Sequence, residues 1–185
     1  MKVTEGIKHF EPNRPTCLAT DWSKSGLGFF LLQKHCHCKI TGPRCCEDGW
    51  NLVLAGGRFT TPAESRYSPT EGELLAVADS LHKARHFVLG CKHLIVAVDH
   101  LPLLGILNSK SLADIHNPRI LALKEKTLWF RSSGWWRLSA TPPMMGSFQQ
   151  ICAAIRAYVR TSTCRMVSQC TRGVSLSPAA SGVRC

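Results

Sequence analysis

The distribution of apolar and polar positions divides roughly the first 130 residues into short elements. "TCLAT" (16–20) and "LGFFLLQ" (27–33) are apolar runs of strand length. The polar "SKSG" lies between them, so the pair predicts a β-hairpin with Gly26 at a turn position. "KHCHCKITGPRCCEDG" (34–49) reads as a loop rich in Gly, Pro and Cys. "WNLVLAGGRF" (50–59) reads as a third strand, its end loosened by Gly56 and Gly57.

The period then changes from two to that of a helix. In "SPTEGELLAVADSLHKARHFVLG" (68–90), Ser68 stands as N-cap, Pro69 at the first helical position and Glu71 three residues after the cap. This is the pattern of a capping box. Leu74, Val77, Ala78, Leu81, Ala84 and Val88 recur at helical spacing, and Gly90 closes the element. "HLIVAVDH" (93–100) is a continuous apolar strand ending in Asp99. "LPLLGILN" (101–108) predicts a short helix, and "NPRILALKEKTLWF" (117–130) a longer one opened by Asn117 and Pro118.

The order strand, strand, strand, helix, strand, helix, helix predicts an α/β fold. Three N-terminal antiparallel strands and a parallel strand after a helical crossover form one mixed sheet with helices packed on it. If the crossover strand pairs with the first, Asp21 and Asp99 lie side by side. Asp21 sits inside an apolar hairpin, where burying a carboxylate is costly unless a cation or hydrogen-bond donors meet it.

Composition narrows the class. A chain of 185 residues with 44% hydrophobic content suits one domain with a real core. No uninterrupted apolar run approaches the roughly 18 residues of a membrane span. "MKVTEGIKHF" has no apolar secretory region, so the ten cysteines are expected to be reduced and the location intracellular, cytoplasmic or nuclear. The net charge of +11 is uneven. All 12 acidic residues fall within residues 1–125 beside 15 Lys and Arg (+3), whereas residues 126–185 carry Lys126, seven arginines and no acid (+8). At the average acid content, so long a stretch without one has a chance of roughly 2%.

Four blocks now stand in order: "LATDWSKSGLG", "SRYSPTEGELLAV", "VAVDHLPLLGILN" and "NPRILALKEKTL". Together they resemble the RNase H-like domain in the polyprotein of gypsy-type LTR retrotransposons. In that family the domain follows the reverse transcriptase (an RNA-directed DNA polymerase) and, as an endonuclease, degrades the RNA of RNA–DNA hybrids. The resemblance implies a catalytic and metal-binding set of Asp21, Glu73 and Asp99, with two Mg²⁺ (or Mn²⁺) ions in the intact family site. Hard oxygen ligands suit such ions, held about 3.5–4 Å apart to activate water and stabilise the leaving oxygen. It also implies an RNA–DNA hybrid as partner, contact with nucleic acid at Ser23 and Lys24, and neither a membrane nor a small-molecule substrate. Helical geometry alone does not choose between Glu71 and Glu73, which lie at similar angles from the apolar stripe. The family pattern matches Glu73. Asp79, on the far side of that stripe, reads as a solvated charge, and His100 as a strand-end residue.

The resemblance also has limits. It assigns residues 1–9 to the end of an upstream reverse transcriptase, 10–128 to the RNase H-like domain and 129–185 to an unmatched basic tail. Intact members continue with another strand and a fourth aspartate, but no acid follows Glu125 here. Cleavage is therefore expected to be weak or absent. The alternative is a catalytically dead remnant, or a weak basic nucleic-acid-binding module. The tail reads as disordered or as an RNA-binding arm. Leu101 stands where the family usually has lysine. Finally, Cys36, Cys38, Cys45 and Cys46, with His35 and His37, supply enough ligands for zinc and so for a zinc-stabilised interaction module. Their spacing fits no standard finger, and incidental thiols in a long loop are the other reading.

Overall fold

All seven residues of Thr16–Trp22 (β1) are buried, the mark of a strand covered on both faces. The computed structural model, which describes residues 9–39, 49–132 and 136–140, places β1 in the middle of a five-stranded sheet. β1 pairs antiparallel with β2 (Gly26–Lys34), and β2 with β3 (Trp50–Phe59). On its other side β1 runs parallel to β4 (Leu94–Val98), so the order is β3-β2-β1-β4-β5. The Ser23–Gly26 turn closes the first hairpin, with Ser23 N donating to Gly26 O and Gly26 N to Ser23 O. Gly26 is the first residue of β2 and has no left-handed backbone; among the described residues only Gly90 does, at φ 86°.

Helix α1 (Pro69–Lys83) crosses one face of the sheet. Its capping box is complete, since Ser68 Oγ accepts from Glu71 N and the Glu71 carboxylate accepts from Ser68 N. That satisfies two of the donors a helix start leaves open. Leu74, Val77 and Leu81 are fully buried against Leu18, Leu31, Val96 and Val98 of the sheet. Each such side chain contributes about 1.5–3 kcal/mol. Cys17, Ala19, Leu32, Trp50 and Ala97 form a second cluster. By strand alternation it belongs to the opposite face. The chain then passes through α2 (Arg85–Val88), β4, α3 (Pro102–Leu104) and a π-helical turn (Gly105–Ser109). It continues into α4 (Pro118–Ser132), whose first amides, Arg119 N and Ile120 N, donate to Asn117 Oδ1.

Three expectations change. The boundary at Leu128 falls inside α4, which runs to Ser132, and Trp136–Ala140 form β5, parallel to β4. The composition shift near residue 126 masked the alternation of "WRLSA", whose Leu138 is buried. The rest of the expected tail, 141–185, lies outside the described residues. Asp79 is not simply solvated: Arg58 Nε donates to its Oδ1 at 2.9 Å and Lys83 Nζ lies 3.0 Å from Oδ2. Arg58 also grips Glu64 with two nitrogens, at 2.7 and 2.8 Å, so it ties β3 to α1 through Asp79 and to the Glu64–Arg66 turn before that helix. Nor does Gly56 loosen β3. Pairing continues to Phe59, and a Cβ at position 56 would stand 2.7 Å from the Phe29 ring, so the glycine makes room for that ring.

Candidate metal centre

The three carboxylates arrive from three elements. Asp21 lies in β1 opposite Gly28 of β2 and is 2% exposed. Asp99 follows the last residue of β4 and is exposed. The β1–β4 register pairs Thr16 with Leu94 through Ala19 with Ala97, residues 78 apart; continuing it two residues beyond the ladder sets Asp21 beside Asp99. Glu73 comes from the second turn of α1 and is 6% exposed. Side-chain oxygens of Asp21, Glu73 and Asp99 all lie within 4.8 Å of one another.

Close packing brings α1 to this end of the sheet. Gly72, beside Glu73, faces the indole of Trp22, beside Asp21. A side chain at position 72 would hold the helix off the strand. This contact has no local sequence signal and is absent from the sequence-based reading.

Glu71 takes another role. Its carboxylate accepts from Ser68 N and Oγ, from Asn117 Nδ2 at 3.1 Å and from Arg119 Nη1 at 3.0 Å. The bond from the Ser68 amide leads these donors in holding its pKa down at about 2, against the opposing effect of burial. Arg119 lies over the Tyr67 ring, 4.4 Å from its centroid. Glu71 thus joins the starts of α1 and α4, while Glu73 joins the cluster. Helical geometry left the two equivalent; the structure sets Glu73, and not Glu71, beside Asp21 and Asp99.

Three carboxylates this close, two of them buried, repel one another unless a cation lies among them. Their hard oxygens and triple negative charge fit a divalent ion such as Mg²⁺ or Mn²⁺. Among the described residues no other group of three or more acidic, His or Cys ligands converges. Of the proposed zinc ligands, Cys36 and Cys38 lie half-buried in the described part of the loop, and Cys45 and Cys46 lie outside the described residues. At the hairpin turn, Ser23 Oγ donates to Gly26 O, and Lys24 is exposed, its carbonyl accepting from Thr60 Oγ1. Leu101, just beyond the cluster, is 67% exposed. No described helix is long and apolar enough to cross a membrane.

Comparison with known proteins agrees with this layout. The family model of the RNase H-like domain found in reverse transcriptase matches residues 11–126. Among solved structures, foamy viral protease–reverse transcriptase in complex with an RNA/DNA hybrid superposes with a TM-score of 0.51 at 13% identity. That match covers 75% of this chain and 17% of the viral one. RNase H1 from the archaeon Halobacterium salinarum gives 0.49 at 14% identity, covering 70% and 86% of the two chains. The N-terminal RNase H domain of a Mycobacterium tuberculosis protein gives 0.47 at 11% identity, covering 82% and 99%. At 13% identity the foamy viral match speaks to the fold alone. No curated protein matches the sequence.

Proposed function

The chain belongs to the family of RNase H-like domains found in reverse transcriptase, and on that premise we propose that it binds RNA–DNA hybrids and holds a divalent cation with Asp21, Glu73 and Asp99. The strings around these residues support a gypsy-type LTR retrotransposon as its source. The observation that carries the reading is the convergence of the three carboxylates, from β1, α1 and the end of β4, within 4.8 Å.

A bound Mg²⁺ or Mn²⁺ would polarise the scissile phosphate and lower the pKa of a coordinated water. Asp21 and Glu73, fixed by a strand and a helix, supply ligands that need little rearrangement. Asp99, exposed at the strand end, faces the side from which a nucleic-acid backbone can approach. The same reading includes weak cleavage. Residues 126–185 contain no Asp or Glu, so that stretch offers no fourth carboxylate, with its negative charge and fixed oxygen. That absence also favours the second reading, a binding module without turnover.

The test is a hybrid-cleavage assay with purified full-length chain in Mg²⁺ and in Mn²⁺, beside Asp21→Asn. Hybrid affinity should fall steeply with salt, because phosphate contacts release counterions. Cleavage should be slow or absent, and any that occurs should vanish in Asp21→Asn. Robust wild-type turnover abolished by Asp21→Asn would overturn the expectation of weakness. Cleavage untouched by Asp21→Asn would overturn the site.

A further inference from the structure

The three carboxylates are not held equally. Asp21 sits in a strand paired on the β2 side, and Glu73 sits inside a helix. Asp99 belongs to neither kind of element. β4 ends at Val98, the β1–β4 ladder stops at Ala19 with Ala97, and the β4–β5 ladder stops at Val98 with Ala140. A residue just past the end of a strand has more backbone freedom than one in a ladder or a helix.

The residue after Asp99 limits that freedom. His100 Nε2 is hydrogen-bonded to Thr70 Oγ1 at 2.9 Å, and His100 O accepts from Leu103 N at 3.1 Å. Thr70 lies in the first turn of α1, three residues before Glu73. The bond therefore runs from the neighbour of one carboxylate to the turn preceding another. The Trp22–Gly72 contact does the same for Asp21 by packing. In both cases the residue after a carboxylate, one in β1 and one just past β4, is fastened to α1.

We propose that His100 and Thr70 are positioning residues: their hydrogen bond sets the separation of Asp99 from Glu73, and so the affinity of the cluster for a divalent cation. The inference rests on the metal-binding reading of the three carboxylates. It requires no change of protonation and no contact between His100 and the ion. Either tautomer of His100 serves, because the threonine hydroxyl both donates and accepts.

The experiment measures Mn²⁺ binding to the purified full chain, reading free Mn²⁺ by electron paramagnetic resonance, beside thermal unfolding without metal. Thr70→Val removes the hydroxyl and keeps the shape, Thr70→Ser restores the hydroxyl, and His100→Gln keeps a group able to hydrogen-bond. Thr70→Val should weaken Mn²⁺ binding by roughly 3- to 10-fold, the scale of one lost hydrogen bond. Thr70→Ser and His100→Gln should stay within about twofold of wild type on the same scale. The metal-free unfolding temperature of Thr70→Val should move little, which separates positioning from support of the fold. Wild-type Mn²⁺ affinity in Thr70→Val, or an equal loss in Thr70→Ser, would overturn the inference and leave the metal site standing. Affinity that falls only in step with the metal-free unfolding temperature would overturn it too. If wild type and Asp21→Asn bind Mn²⁺ alike, the metal site itself fails and the inference with it.

Discussion

Gly72 faces the indole of Trp22 so closely that a Cβ at position 72 would stand 2.2 Å from Trp22 Cδ2. No side chain fits there without movement of α1 or of the ring. Because Glu73 and Asp21 are the next-door residues, this contact acts on stability and on carboxylate geometry together. Gly72→Ala should cost about 1–3 kcal/mol by overpacking and should weaken Mn²⁺ binding. Urea unfolding of Gly72→Ala beside Gly72→Ala with Trp22→Leu would check it: if the indole is the obstacle, the second change costs less in the Gly72→Ala background than alone.

The carboxylate cluster should make the metal-free protein less stable than its neutralised variant. Asp21→Asn removes one of three mutually repelling charges, so it should leave metal-free stability equal or higher. On the proposed metal site, Mg²⁺ should raise the unfolding temperature of wild type, as a ligand of the folded state does, and raise that of Asp21→Asn far less. Calorimetric scans with and without millimolar Mg²⁺ would show it.

Acid should unfasten α1 from α4. Glu71 has an ordinary pKa of 4.5 and is held at about 2 in the fold. A depressed carboxylate stabilises the fold above its unfolded pKa, and that contribution is lost as pH falls from about 4.5 towards 2. Glu64, also held at about 2, chiefly by its hydrogen bonds from Arg58, adds to the same slope. Glu71→Gln should therefore be less stable at neutral pH and lose less stability across that acid window. Urea midpoints measured from pH 6 to pH 2.5 would reveal the flatter profile.

Lys124 is 3% exposed and lies in the middle of α4. Its ammonium donates to Ile106 O at 2.8 Å and to the Lys110 carbonyl, holding the π-helical turn that follows α3. Lys124→Met keeps the volume but leaves those carbonyls without the charge, a loss of about 1.5–3 kcal/mol. Hydrogen exchange should then quicken at the Lys110 amide, which donates to Gly105 O.

The central strand and α1 could be read from the chain because their signals are local: a short, mostly apolar run for β1, and Ser68, Pro69 and Glu71 for the helix start. The nearness of Asp21 to Asp99 was expected only on the condition that β4 pairs with β1, and the sheet meets that condition. Other features lacked local signals. Asp79 has a local partner in Lys83, four residues on, but its other partner is Arg58, on a different element, and nothing near Asp79 in sequence announces that one. Gly72 looks like an ordinary weak point in a helix until the indole is placed against it. Trp136–Ala140 do alternate as a strand, but they stand at the edge of a basic, acid-free region whose composition argued the other way.

The pairing of β1 with β4, residues 78 apart, also bears on how the centre comes into being. The β1–β2 hairpin closes over a short turn and can form early, but it contains Asp21 alone. Bringing β4 alongside closes a far longer loop, at greater entropic cost and with slower kinetics. The carboxylate cluster thus depends on a pairing of high contact order, expected to form after the hairpin. On the ribosome the three carboxylates cannot meet until β4 has emerged, so a nascent chain that ends at β3 carries Asp21 without Glu73 or Asp99.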